Sequence, residues 1–225
     1  MGNNKNLHAI ISDIHVPYHD MKAIDKALKR IDEEKPGKVI LLGDIADFEA
    51  ISRFSRKLDK RAAFWQEVEL VKGMLTYLEK RLKGCEIHYL TGNHESRLSK
   101  YIVRNCPELA GVPSLAFREL LEIPKRWQVY EYNLNAVVID DISYLHGNRF
   151  SGNICGNNLK RYMGSVVQGH SHSSSAEYHR LPNGKVIGAV VTGCLCDLDP
   201  GYTSDVRWTH AMGWAENGLP YLEML

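Results

Sequence analysis

Three apolar runs in the first half of the chain end in the same kind of residue. Residues 7–12 run into Asp13-Ile14-His15, residues 38–42 into Gly43-Asp44, and Glu86–Leu90 into Thr91-Gly92-Asn93-His94-Glu95. Between them, Met21–Glu34 carries Ile24, Ala27, Leu28 and Ile31 at helical spacing and is stopped by Pro36-Gly37. A second helix is expected from about Ala62 to Leu82, with Gly84 as its stop. Strands alternating with helices imply parallel βαβ units, and the carboxyl ends of such strands share one rim. Ligand-type residues far apart in sequence can therefore meet there.

The second half changes rhythm. Residues 136–139 and Ile142–Leu145 flank Asp140-Asp141 in a hairpin-like pattern. Residues 165–168 lead into Gly169-His170-Ser171-His172, and His146-Gly147 follows another apolar run. Further strands are expected at 175–179 and 186–192, around a turn at Pro182-Asn183-Gly184, and near 220–224. This half reads as a second sheet packed on the first, with helices outside, so that residues 1–225 form one α/β domain. A chain of 225 residues, 44% hydrophobic and 24% charged, can bury the core this needs.

A net charge of +1 gives no global field that would mark nucleic acid as a partner. No apolar run approaches membrane-spanning length, and the polar start lacks a secretory apolar region. Asn6 stands where a myristoylation signal has Ser or Thr. Five cysteines without a C-x-x-C pair suit a reduced, cytoplasmic setting. Cys194 and Cys196 read better as buried free thiols than as a metal pair.

Each polar island has a plain alternative. Asp13 and His15 could be a helix cap and a surface histidine, Gly43-Asp44 an ordinary strand end, and Asn93-His94 an Asn-led turn. His170 and His172 could lie at a surface, and a lone strand-end histidine such as His146 is commonly structural. Together the islands supply carboxylates, imidazoles and an amide oxygen, enough for two neighbouring divalent cations. An adjacent non-ligand His94 could protonate a leaving oxygen, with Glu95 orienting its imidazole.

In order, D-x-H, G-D, G-N-H-[DE], a lone H and G-H-x-H closely resemble the signature of the calcineurin-like metallophosphoesterase family, over positions 13–172. The resemblance implies a four-layer α/β/β/α sandwich of two mixed sheets. It also implies one metal on Asp13, His15, Asp44 and His172, and a second on the bridging Asp44 with Asn93, His146 and His170. His94 corresponds to the family's catalytic histidine, with Glu95 behind it. Manganese is the first expectation for the pair of ions; iron, zinc and nickel fit the same ligand types. The stretch G-N-H-E-S-R-L-S-K-Y (92–101) is similar to small phage and prophage phosphoesterases.

After Asp44 the chain reads Ile45-Ala46-Asp47-Phe48, where the Ser/Thr protein-phosphatase branch has G-D-x-V-D-R-G. The missing arginine tilts the reading toward a phosphodiesterase or nuclease, since a diester carries less charge than a monoester. A phosphomonoesterase on protein or nucleotide is the alternative. A binding scaffold without catalysis is disfavoured because every ligand persists. For substrate contact the candidates are Arg53, within the basic run Arg53-Phe54-Ser55-Arg56-Lys57-Leu58-Asp59-Lys60-Arg61, together with Arg97 and Arg149. Tyr18 and His19 are weaker candidates. A nucleotide or nucleic acid would suit the basic run, which could equally be a solvated helix start.

Overall fold

Neighbouring side chains along the first strand decide the layering. The computed structural model describes residues 3–53, 63–133, 135–149, 152–199 and 207–225. In β1 (Asn4–Ile11), Ala9, Ile10 and Ile11 are all fully buried, so both faces of the strand are covered. Ala9 and Ile11 join Val39, Leu41, Ile24, Leu28, Val71 and Leu75 in one cluster, which seats helices α1 (Met21–Glu34) and α2 (Phe64–Arg81). Ile10 belongs to a different cluster, with Ile40, Leu90, Tyr144, Val167 and Val190, and this one glues two sheets together.

The first sheet runs β11 (Leu219–Met224), β10 (Ala211–Glu216), β1, β2 (Pro36–Leu41), β3 (Glu86–Leu90), β4 (Gln128–Tyr130). Strands β1 to β4 are parallel to one another, and β10 is antiparallel to β1. The second sheet runs β5 (Val137–Ile139), β6 (Ile142–Leu145), β7 (Val166–Gln168), β9 (Val186–Val191), β8 (Ser175–Arg180), with β6, β7 and β9 parallel. Helix α5 (Ile154–Tyr162) closes its outer face through Ile154 and Leu159 against Val166, Ile187 and Val191. The order helices, sheet, sheet, helix is the α/β/β/α arrangement of two mixed sheets that the family resemblance implies.

One expectation needs correcting. The strand expected at 220–224 does not belong to the second sheet. It pairs with β10, which the sequence pattern did not reveal, and the hairpin returns to the first sheet beside β1. Asn217 and Gly218, both at positive φ, form the two-residue turn that such a hairpin requires. Ala211 to Ala215 are buried, as a strand covered on both faces must be.

Helix α1 starts where Asp20 accepts from the amides of Lys22 (2.7 Å) and Ala23 (3.2 Å), and ends at Lys35 in a left-handed conformation. Helices α3 (Ser96–Asn105) and α4 (Phe117–Leu120) follow β3. No helix among the described residues is long and apolar enough to cross a membrane.

All five polar islands follow a strand: β1, β2, β3, β6 and β7 in turn. Because the strands within each sheet run parallel there, their carboxyl ends gather at one edge of the sandwich. Replacing Ile10 by Ala would open a cavity between the sheets, and urea unfolding is expected to show a loss of about 3 kcal/mol.

Candidate metal centre

Two loops carry the centre and run side by side. The amide of Asp13 donates to Gly43 O (3.0 Å), that of His15 to Asp44 O (2.8 Å), and that of Val16 to Ile45 O (2.8 Å). The pairing of β1 with β2 thus continues past both strand ends and brings the first two islands together. Gly43 sits at φ +88°, and a Cβ on it would lie 2.5 Å from the amide nitrogen of Gly92. A Cβ on Gly92 would lie 2.1 Å from an Asp44 carboxylate oxygen. Only glycine permits the second and third islands to approach this closely.

Five of the seven residues expected as ligands, Asp13, His15, Asp44, His170 and His172, have φ between 51° and 71°. Left-handed backbone at a non-glycine residue costs roughly 1 kcal/mol or more, and such residues concentrate at functional sites.

The side chains converge in two groups. In one, His15 Nε2 lies 3.0 Å from His172 Nε2, and Asp13 Oδ1 lies 3.3 Å from His172 Nε2 and 3.7 Å from His15 Nε2. In the other, His146 Nε2 lies 3.1 Å from Asp44 Oδ2, 3.0 Å from Asn93 Oδ1 and 3.2 Å from His170 Nδ1. Asp44 Oδ2 is also 3.7 Å from His15 Nε2, so one carboxylate oxygen stands between the groups. Asp13, Asp44 and His146 are buried, while Asn93, His94 and His170 are half-buried and mark the open side.

These donors fit divalent cations. Asp13 Oδ1 is buried without a hydrogen-bond donor, a costly state for a carboxylate oxygen unless a cation meets it. His146 Nδ1 lies 2.7 Å from Leu42 O and must donate to it, so in the neutral ring that a metal would require the Nε2 lone pair faces Asp44 and Asn93. Burial disfavours charge on His146, yet Asp44 overcomes it and raises the imidazole to about 9. Burial and the neighbouring His146 push His170 down to about 4. Burial opposes ionisation of Asp13, but His172 and His15 hold it well below the ordinary carboxylate range. A buried, negatively charged cluster of this kind calls for positive charge at its centre.

His94 lies on the open side of the same cluster, where with His15 and Asp44 it forms a further group able to hold a metal ion. Its amide donates to Asp44 Oδ1 (2.9 Å), and its Nε2 lies 3.8 Å from Asp44 Oδ2. Arg97 Nη2 donates to that Nε2 (3.0 Å), so the ring proton is on Nδ1, which meets Asp47 O (3.0 Å) and the Asp47 carboxylate. Arg97 Nη1 also donates to Asp47 O (2.7 Å). The expected pairing of Glu95 with His94 is therefore corrected: Asp47 takes that place. Glu95 accepts instead from the amides of Asp44, Ile45, Ala46 and Gly92 and from the Tyr89 hydroxyl, which point into the interior from the loops around it. Asp47 went unnoticed in sequence, although it lies three residues beyond Asp44.

Of the expected substrate arginines, Arg97 joins the centre. Arg149 is exposed, and no side-chain contact ties it to the cluster among the described residues. Arg53 is exposed, and the rest of its basic run, Phe54 to Arg61, lies outside the described residues. The Tyr18 hydroxyl donates to Glu49, and His19 is half-buried. Cys194 and Cys196 form no disulfide and are buried, and with His172, whose Nδ1 lies 3.8 Å from Cys196 Sγ, they make another group able to hold a metal ion. Two aromatic neighbours were also missed: Trp208, its ring 4.1 Å from that of His172, and Tyr132, 6.1 Å from that of His146.

Residues 9–180 match the family described as calcineurin-like phosphoesterase. The chain belongs to that family. With its ligand clusters, this calcineurin-like phosphoesterase is a metal-dependent phosphoesterase. It is similar to the Gene 54 protein of Mycobacterium phage L5, 23% identical over 210 residues, covering 84% of this chain and 79% of that one. The Gene 54 protein of phage D29 is 23% identical over 202 residues, with the same coverage. Similar solved structures include a nuclease MPE from Pseudomonas putida (15% identity, 96% of this chain and 87% of that one, TM-score 0.41). Another is Yfce, a phosphoesterase from E. coli (16%, 94% and 88%, TM-score 0.44). A third is Vacuolar Protein Sorting 29 from Cryptosporidium parvum (15%, 98% and 96%, TM-score 0.48).

Two buried carboxylates hold the chain that follows β2 in this calcineurin-like phosphoesterase, Glu95 at Asp44 to Ala46 and Glu67 at Glu49 and Ala50, and each yields a prediction. Glu95→Ala leaves four amides without their acceptor and is expected to lower stability in urea unfolding by at least about 3 kcal/mol. Glu67 accepts from the amides of Glu49 (3.0 Å) and Ala50 (3.4 Å), and burial raises it to about 7. The native state therefore holds this proton more tightly than the unfolded chain does. The corresponding stability is fully present below pH 4.5 and is lost as pH rises through 7. Between these limits, Glu67→Gln should gain on the wild type by on the order of 2 kcal/mol, read from unfolding curves across pH.

Proposed function

We propose that this protein is a dinuclear hydrolase of phosphodiesters, nucleotides or nucleic acid included, working with two manganese ions. The observation that carries the reading is Asp44 Oδ2, set between His15 Nε2 at 3.7 Å and His146 Nε2 at 3.1 Å. Asp44 would be the carboxylate shared by two cations. Asp13, His15, Asp44 and His172 would hold one, and Asp44, Asn93, His146 and His170 the other. Such a pair would supply charge neutralisation for a phosphoryl group and would acidify water for in-line attack.

The chain's own residues do the rest. His94 faces the open side with its Nδ1–H fixed by Asp47, so Nε2, once Arg97 leaves it and it takes up a proton from solvent, is the atom that delivers that proton to the leaving oxygen. Arg97, now on that Nε2, is placed to turn its guanidinium to a phosphoryl oxygen and free the imidazole. Glu95 keeps the loop that begins at Asp44 in register. One guanidinium besides the cations suits the single charge of a diester. The same guanidinium favours a second reading, a phosphomonoesterase, because it restores a cation that the missing D-R-G arginine had seemed to remove.

Two measurements test this. With manganese, bis-p-nitrophenyl phosphate is expected to be hydrolysed faster than p-nitrophenyl phosphate; the reverse order assigns a monoesterase. His94→Ala is expected to lower kcat roughly 10²- to 10⁴-fold while metal content, measured by mass spectrometry, stays near that of the wild type. Loss of metal in that variant would make His94 a ligand instead.

A further inference from the structure

Beside the metal centre lies a largely apolar cavity of about 520 Å³. Helix α3 walls it through Leu98 and Ile102, the segment before and into α4 through Val112 and Phe117, and β4 through Val129. Its volume is that of a small-molecule site.

The wall toward the metal ligands is shared with them. Tyr132 lines the cavity, its ring lies 6.1 Å from that of His146, and its hydroxyl donates to Gly147 O (3.2 Å). Ser96 lines it too and donates to the carbonyl of Asn93 (2.7 Å). Lys100 reaches this shared rim, with Nζ 2.8 Å from Ser96 Oγ and 5.6 Å from the Tyr132 ring centroid. Among the described residues Lys100 has no carboxylate partner, so its charge is available to a phosphate at the rim.

We propose that the cavity receives the organic group of the substrate, an aromatic heterocycle of the nucleobase class, while its phosphate sits at the metal centre. This rests on the diesterase reading above. Phe117 and Tyr132 offer aromatic surface to a flat ring. Ser99 and Glu131, both exposed on the lining, offer a hydroxyl and a carboxylate to its polar edge, which an alkyl chain could not use. Lys100 then lies between ring and phosphate.

The test compares two diesters with the same leaving group on the manganese-loaded protein: thymidine 5′-p-nitrophenyl phosphate and methyl p-nitrophenyl phosphate. The thymidine ester is expected to show a KM at least tenfold lower. Val112→Trp and Val103→Trp place bulk at two exposed positions of the lining, and each is expected to collapse that ratio toward one. Two positions on separate segments protect the test against one variant failing to fold. Equilibrium dialysis with thymidine alone reads the cavity without catalysis, and both variants should lose the binding. Equal KM values with no thymidine binding overturn the inference, and hydrolysis of the methyl ester then leaves the diesterase reading standing. If neither ester is hydrolysed yet thymidine binds and Val112→Trp abolishes it, the cavity is right and the diesterase reading fails.

Discussion

The carboxylate of Glu95 is the contact on which the rest of the centre depends. Oε1 accepts from the amides of Ile45 (2.6 Å) and Ala46 (3.0 Å) and from the Tyr89 hydroxyl (2.9 Å). Oε2 accepts from the amides of Asp44 (2.9 Å) and Gly92 (2.6 Å). One side chain thus ties the end of β2 to the end of β3 and satisfies four backbone donors that a buried turn would otherwise leave unpaired. Burial and the nearby charge of Asp44 raise its pKa, while the amides pull the other way. Loosening this grip would release Asp44 and His94 together, because His94 N is itself bonded to Asp44 Oδ1.

Charge sets the second constraint. Asp13, Asp44, Asp47 and Glu95 are all buried within one small volume, which is tolerable only when positive charge lies among them. The imidazoles cannot all provide it. His146 and His170 are 3.2 Å apart, and the pull of Asp44 that raises His146 leaves His170 depressed beside it. A cation held by these residues would resolve the conflict without two neighbouring charged rings. Arg97 contributes from outside the group, where its guanidinium bonds to Asp47 and His94.

The parallel first half and its ligand-bearing strand ends were legible because two features coincide locally: an apolar run and a polar residue at its end. Each of Asp13, Asp44, Asn93, His146, His170 and His172 sits where that pattern places it. What escaped depends on pairing across the chain. Strand β10, with Gly213 and Trp214 in it, lacks alternation because it is covered on both faces, and only the Asn217-Gly218 turn betrays it. Glu95 was assigned to its sequence neighbour His94, but the tight turn at Gly92 directs it inward to the amides. Asp47 reaches His94 only because the loop after β2 folds beneath the loop after β3. Trp208 and Tyr132 carry no local signal at all, since their roles come from the two sheets meeting at one rim.

Helix α3 joins the candidate metal centre to the cavity beside it. Its first residues follow directly from Gly92-Asn93-His94, so its orientation is set by the loop that Glu95 and Asp44 fix. Arg97 faces His94, whereas Ser96, Leu98, Ser99 and Ile102 line the cavity. With about 100° between successive residues, a helix distributes such roles over different faces without any change of backbone. A substitution on the cavity face can therefore reshape the cavity while the metal loop stays in place. A change at Gly92 cannot, because a Cβ there meets Asp44 before the helix begins. The strand ends position the candidate metal centre, and the far faces of α3 and the Tyr132 segment shape the cavity beside it.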